Sequence, residues 1–71
     1  MQQEQINEPM WEVVLEMLKD HMYNYKGQTI NEIVMAVDKD NAQEKVLKMH
    51  DMTTDMLHDT VKVLGIRTWT E

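Results

Sequence analysis

The sequence of 71 residues contains no cysteine, no serine and no phenylalanine, and it has one proline and two glycines. Without cysteine the chain can form no disulfide and no thiolate metal site, and it has no thiol nucleophile. The lack of serine removes a common hydroxyl nucleophile, and two isolated glycines cannot make a glycine-rich phosphate-binding loop. A chain of this length also has too little volume to enclose a substrate in a dry pocket. We therefore expect a protein that is not an enzyme and has no cofactor.

Positive charge and long apolar runs are also scarce. Seven Lys and Arg residues stand against thirteen Asp and Glu residues, which gives a formal net charge of -6. This charge repels phosphate backbones and anionic membranes, so it favours a neutral or basic partner. The N-terminal MQQEQINEPM lacks the basic and apolar regions of a secretion signal, and no apolar run reaches membrane-spanning length. The sequence predicts a cytoplasmic protein with no membrane partner.

The apolar residues in the first half of the chain predict two helices. Those between positions 11 and 26 recur at three- and four-residue steps, the period of an amphipathic helix, so we predict helix one at residues 8–26. This set consists of Val14, Leu15, Leu18, Met22 and Tyr25. Thr29 and Glu32 have the spacing of a capping box, which predicts helix two at residues 29–38.

A single apolar stripe in the second half predicts helix three at residues 41–64, with Asp40 as its N-cap. The stripe consists of Ala42, Val46, Met49, Thr53, Met56, Thr60, Val63 and Leu64. Two adjacent β-branched residues, Thr53 and Thr54, leave an alternative open. In that alternative, helix three breaks near Asp51 and a new helix starts at the threonines.

The predicted fold class is therefore all-α. It consists of a compact three-helix domain at residues 8–66, a flexible N-terminal tail at residues 1–7, and a short extended C-terminal tail at residues 67–71. Helix three would be about 36 Å long, which is more than helix two can cover. A symmetric helical dimer would bury the remaining stripe and is the favoured state. The alternative is a monomer in which helix one and the C-terminal tail cover it.

The predicted partner-binding surface contains many of the eight methionines. Methionine side chains are flexible and adapt to partners of several shapes, but they also fill irregular cores. The apolar arc of predicted helix one covers more than half of its circumference, and such a surplus indicates an interface. The residues predicted to bind a partner are Met10, Val13, Met17, Met49, Met52 and Met56.

The segment LEMLKDHMYNYKGQTINEIVMAV, residues 15–37, resembles the opening of winged-helix domains, in which a long helix and a turn precede a capped second helix. The resemblance implies a DNA-binding regulator whose recognition helix follows this segment. A dimer could then gather Lys39, Lys45 and Lys48 on one surface. The net negative charge opposes this alternative.

A third hypothesis is a metal-binding helix bundle. His58 would lie close to Asp51, Asp55 and Asp59 on the predicted third helix, and carboxylates with an imidazole can ligate a divalent cation. A solvated acidic helix face explains the same residues more simply, so we predict no metal site.

These observations favour a small acidic regulatory or inhibitory protein that is not catalytic. It would act by binding another protein, or a second copy of itself, through an apolar face that contains methionine. Small size and negative charge also suit a mimic of nucleic acid, by analogy with small inhibitors encoded by phages.

Overall fold

The computed structural model describes residues 8–69. Their elements are, in order, β1 (Met10–Met17), β2 (Thr29–Met35), α1 (Lys39–Met49), a 3-10 helix (Thr54–His58) and β3 (Val61–Thr68). The strands form one antiparallel sheet in the order β2-β1-β3, so β1 is central. The edge strands β2 and β3 run in the same direction, and the chain between them places α1 against one face of the sheet. The opposite face carries no covering element from the described residues.

β1 forms because its side chains alternate between two environments. Successive side chains of a strand point to opposite faces of the sheet. The side chains of Val13, Leu15 and Met17 point towards α1 and are at most 1% exposed. Glu12 and Glu16 point to the open face together with Met10 and Val14, so β1 has one apolar side and one side that is half charged and half apolar.

A loop at residues 18–28 joins β1 to β2 and ends in a tight turn. The Gln28 N–H donates to the Tyr25 carbonyl oxygen at 2.9 Å, and Gly27 between them has φ 89°. A positive φ at this place fits a type II turn and favours glycine. The Gly27 N–H donates to the Met17 carbonyl oxygen, and the Gln28 carbonyl oxygen accepts from the Met17 N–H. Gly27 and Gln28 thus both lie opposite Met17, which makes a bulge between the turn and β2.

α1 begins after Asp38, whose carboxylate accepts a hydrogen bond from the Asn41 N–H at 2.8 Å. This bond satisfies one of the backbone donors that every helix start leaves without a partner. The helix then buries Ala42, Val46 and Leu47 against the sheet.

α1 ends at Met49, followed by a Schellman motif. Asp51 has φ 59°, and the Met52 N–H reaches back to the Leu47 carbonyl oxygen at 2.8 Å. The Asp51 N–H donates to the Lys48 carbonyl oxygen at 3.2 Å. Because Asp51 turns the chain away from the helix axis, α1 cannot continue into the residues that follow.

One core lies between α1 and the sheet. Its fully buried members come from all three strands, from α1 and from the segments beside it, and Met52 after the helix closes one end. They are Val13, Leu15, Met17, Ile30, Ala36, Ala42, Val46, Leu47, Met52 and Val61. Trp11 packs against this core, and its indole N–H donates to the Ala36 carbonyl oxygen at 2.9 Å.

The all-α, three-helix prediction is wrong, and so is the description as a helical bundle. The segment predicted as helix one contains β1, and the segment predicted as helix two contains β2. Of predicted helix three, residues 41–49 are helical in α1, the break near Asp51 is present, and Thr53 caps the 3-10 helix. The end of predicted helix three and part of the predicted tail belong to β3.

The predicted flexible tail at residues 1–7 lies outside the described residues, as do the last two residues of the predicted C-terminal tail. Among the described residues, no helix is long and apolar enough to cross a membrane.

Candidate protein-binding surface

β2 presents an open backbone edge. In an antiparallel ladder, residues whose backbone groups bond to the neighbouring strand alternate with residues whose groups point away. Met17 bonds to Gln28, and the Ala36 N–H donates to the Pro9 carbonyl oxygen at 3.1 Å, which fixes this alternation at both ends of β2. Ile30, Glu32 and Val34 therefore bond to β1. The residues whose N–H and C=O groups point outward are Thr29, Asn31, Ile33 and Met35.

The outer edge of β2 is closed at one end only. Lys45 Nζ donates to the Met35 carbonyl oxygen at 2.6 Å. Among the described residues, no strand pairs with Thr29, Asn31 or Ile33 on their outer side. We call the outward backbone groups of these three residues the β2 edge.

The other edge strand is less regular. The pairing of β1 with β3 shifts between Val14 and Leu15, where Leu64 is the extra residue of a bulge. A bulge bends a strand and increases its twist, which is one way in which proteins make an edge unsuitable for pairing. β2 has no such bulge within the strand, and it has no lysine or proline of its own.

A shallow apolar groove with a volume of about 680 Å³ runs beside the β2 edge. We call it the methionine groove. Its lining residues are Met10, Ile33, Val34, Met35, Lys45, Lys48 and Met49. Ile33, Met35 and Met49 are 42%, 50% and 55% exposed, so much of their apolar surface faces solvent. Exposed apolar side chains that are contiguous, rather than scattered, indicate an interaction site.

The lysines of the methionine groove are held in ion pairs. Lys45 Nζ lies 3.6 Å from Glu8 Oε1, and Lys48 Nζ lies 3.7 Å from Glu44 Oε2. The rim of the groove is therefore polar and close to neutral, while its floor is apolar. This combination is typical of protein interfaces.

The residues predicted to bind a partner separate into two groups. Met10 and Met49 both line the methionine groove, although they are far apart in sequence. Val13, Met17 and Met52 are buried between α1 and the sheet, and Met56 is half-buried against the same core. Of the predicted residues, only Met10 and Met49 therefore belong to the candidate surface.

The predicted partner-binding residues did not include Ile33, Val34 and Met35, which β2 supplies to the methionine groove. Ile33 and Met35 share a face with each other because strand residues two apart point the same way. A two-residue period in TINEIVM, with Ile30, Glu32 and Val34 on the other face, was the signal for them.

A cluster of hydrogen-bonded polar side chains holds the loop at residues 18–28 and β2 against the end of α1. His50 Nε2 lies 2.9 Å from Glu32 Oε2, and its Nδ1 lies 3.4 Å from Asn24 Nδ2. Because an amide nitrogen only donates, His50 accepts at Nδ1 and donates from Nε2 to the Glu32 carboxylate. His21 Nε2 donates to the Asp51 carbonyl oxygen at 2.8 Å. We call this cluster the polar clasp.

A carboxylate paired with an imidazole is also the arrangement of many general bases. In the polar clasp, however, both ring nitrogens of His50 are engaged, and His50 is not part of the lining of the methionine groove. The geometry therefore favours a structural role for this pair.

The open face of the sheet carries charges that satisfy one another. Arg67 Nε donates to Glu12 Oε1 at 2.7 Å, and Asn31 Nδ2 donates to Glu12 Oε2 at 3.1 Å. These bonds, first the one from Arg67, hold the pKa of Glu12 below its usual value. Lys62 Nζ lies 3.6 Å from Glu16 Oε1. The charged side chains of this face thus form two ion pairs, each of one acid with one base.

The structure separates the residues of the candidate cation site. Asp51 lies just after α1, while Asp55 and His58 lie in the 3-10 helix and Asp59 follows it. In the part of the chain that the structure describes, no three His, Asp or Glu side chains are grouped in a way that could hold a metal ion.

The winged-helix resemblance also loses its structural basis. β1 and β2 occupy the segments in which the resemblance implies helices. Lys39, Lys45 and Lys48 all lie on α1, where Lys45 and Lys48 each have an acidic partner within 4 Å.

Comparison of the chain with protein-family models, with curated proteins and with solved structures finds no match.

Proposed function

We propose that this chain is a small, acidic, non-catalytic regulatory or inhibitory protein that acts by binding another protein at the β2 edge and the methionine groove. The observation that supports this proposal is their adjacency. An open strand edge lies directly beside a groove whose exposed residues are Ile33, Met35 and Met49.

This adjacency suits strand addition, in which an extended segment of the partner pairs with a sheet edge. Backbone hydrogen bonds to Thr29, Asn31 and Ile33 would give affinity. Alternate side chains of the added strand would lie near Met35 and Met49, and these flexible side chains could adapt to them.

The charge of the chain indicates what charge the partner segment should have. A net charge of -6 favours a partner segment that is neutral or basic. The proposal includes the cytoplasm as the compartment, because a chain without cysteine gains nothing from an oxidising one.

The test is site-specific photo-crosslinking in the cells that produce the protein. One variant carries the photoreactive residue at Met35, in the groove beside β2, and the matched control carries it at Leu64, on β3 at the opposite edge of the sheet. The two positions are 50% and 51% exposed, so they differ in location rather than in accessibility.

We expect Met35 to capture a defined protein, Leu64 to capture little, and the added change Met49→Lys to abolish the capture at Met35. Mass spectrometry of the product distinguishes a different protein from a second copy of this chain. Capture at Leu64 alone, or at neither position, would contradict the proposal.

A further inference from the structure

We infer that the β2 edge also takes a second copy of this chain, so that two sheets join through antiparallel β2 strands into one six-stranded sheet. This inference rests on the surface of the proposed function and names one occupant of it. It would make the dimer a resting state in which the surface is closed.

The open part of the edge defines the register. Thr29, Asn31 and Ile33 are the outward residues, and Lys45 blocks the edge at Met35. A two-fold axis at Asn31 pairs Asn31 with its own copy and Thr29 with the second copy's Ile33. This arrangement uses all three open residues and makes about six backbone hydrogen bonds.

The charges of β2 select the same register. Glu32 is the one charged residue of the strand TINEIVM. An axis at Glu32 would place two carboxylates directly opposite, which is destabilising. An axis at Asn31 instead places Glu32 opposite the second copy's Ile30.

Two chains that each carry a charge of -6 repel one another over most of their surfaces. Pairing through β2 adds little to this repulsion, because Glu32 is the one charged residue of the strand and lies opposite the second copy's Ile30.

The same register brings two exposed apolar surfaces together. The side chains of Met22, Tyr23 and Tyr25 in the loop before β2 are 61%, 86% and 67% exposed. Extending the pairing past the strand end places the second copy's Tyr25 turn beside Met35 and Val37, at the methionine groove. One partner would therefore cover both the groove and part of the exposed loop.

The first test is the mass of the full chain in sedimentation equilibrium over a wide range of concentrations. We expect twice the chain mass of 8.5 kDa at millimolar concentration and dissociation on dilution. A monomer throughout that range would overturn the inference, whereas the crosslinking at Met35 would remain as an independent test of the proposed function.

Two matched proline variants locate the contact. Thr29 on β2 and Thr68 on β3 are both exposed, and the N–H of each points away from β1. Replacing either threonine by proline therefore removes one outward donor and no hydrogen bond within the sheet. We expect Thr29→Pro to weaken the dimer at least tenfold, because two intermolecular bonds are lost, and Thr68→Pro to leave it unchanged. The reverse result would assign the contact to β3 and overturn the inference.

If a proline variant fails to fold, a measurement on the unmodified chain tests whether the dimer forms through β2. In a mixed sample of labelled and unlabelled chains, the register predicts an intermolecular nuclear Overhauser effect between the Ile30 Hα and the second copy's Glu32 Hα, whose Cα atoms would be about 4.5 Å apart. A dimer without this contact would contradict the inference.

Discussion

At the scale of single residues, Asn24 shows how the loop at residues 18–28 is held. It is only 7% exposed, and its side-chain amide contacts His50 Nδ1. A buried polar group must find a partner within the protein, because it has lost its water. The polar clasp therefore stabilises the loop and holds the middle of β2 at Glu32, beside the proposed binding surface.

Replacing His50 by alanine should lower the free energy of unfolding by about 1 to 3 kcal/mol, since the Asn24 amide is left without its acceptor. Urea denaturation measures this change. The matched control is His58→Ala, at an exposed position of the 3-10 helix, which should change stability by no more than about 0.5 kcal/mol. Equal effects of the two changes would show that the polar clasp contributes nothing.

Glu12 gives a prediction about pH. Because its pKa is lower in the folded chain than in the unfolded chain, its contribution is present above the unfolded value and is lost as the pH falls through the folded value. Glu12→Gln should therefore lose less stability than the natural chain between neutral pH and about pH 3. Arg67→Gln removes the main cause of the lowered pKa and should show the same reduced dependence. Thermal unfolding over this pH range tests both, and an unchanged dependence would refute the assignment.

At the scale of elements, the end of α1 depends on one left-handed residue. Asp51 has φ 59°, a conformation that costs an L-residue energy and costs glycine almost none. Asp51→Gly should stabilise the fold by roughly 0.5 to 1 kcal/mol. Asp55→Gly removes the same charge from the 3-10 helix, where φ is not positive, and should be neutral or destabilising. The midpoint of urea denaturation measures both changes. A midpoint that rises for Asp55→Gly but not for Asp51→Gly would contradict this account of the helix end.

β1 gives a prediction that separates the core from the surface. Met17 is 1% exposed within β1, while Met49 is 55% exposed on α1. Met17→Lys would bury a charge without a partner and should cost about 4 kcal/mol or more, enough to unfold a domain of this size. Met49→Lys should leave the circular dichroism spectrum unchanged. A folded Met17→Lys variant would show that this side chain is not part of the core.

Local signals predicted α1 but not the strands. Residues 41–49 have a helical apolar period and are helical, but the helix begins at Lys39 and its N-cap is Asp38 instead of the predicted Asp40. In β1, Val14 and Leu15 fit a helical period with Leu18, but Trp11, Val13, Leu15 and Met17 equally fit a two-residue period. The adjacent β-branched residues Val13 and Val14 favour the strand. For so short a run, periodicity alone does not decide between the two structures.

The rest of the fold depends on pairing between distant residues. Glu12 and Arg67 lie 55 positions apart, and only the sheet register brings them together. The methionine groove likewise joins Met10 on β1 to Met49 on α1. Both methionines were predicted to bind a partner, but that prediction rested on the apolar faces of helices one and three. The sequence could not place them beside Ile33, because that requires the topology β2-β1-β3.

At the scale of the whole molecule, the sheet has one face covered by α1 and one face whose charges pair within the sheet. Its two edges differ, since β3 is bulged and β2 is regular and lies beside the methionine groove. The central claim is therefore that the β2 edge is where the molecule binds another chain.

Amide hydrogen exchange, resolved by residue, tests this claim most directly. In dilute monomer the N–H groups of Thr29, Asn31 and Ile33 should exchange fast and those of Ile30 and Glu32 slowly, because only the latter point to β1. On binding of a partner or a second copy, the three outward amides should slow at least tenfold, while the outward amide of Thr68 on β3 stays fast. Outward β2 amides that are already protected in the dilute monomer, or protection that arises on β3 instead, would contradict the account.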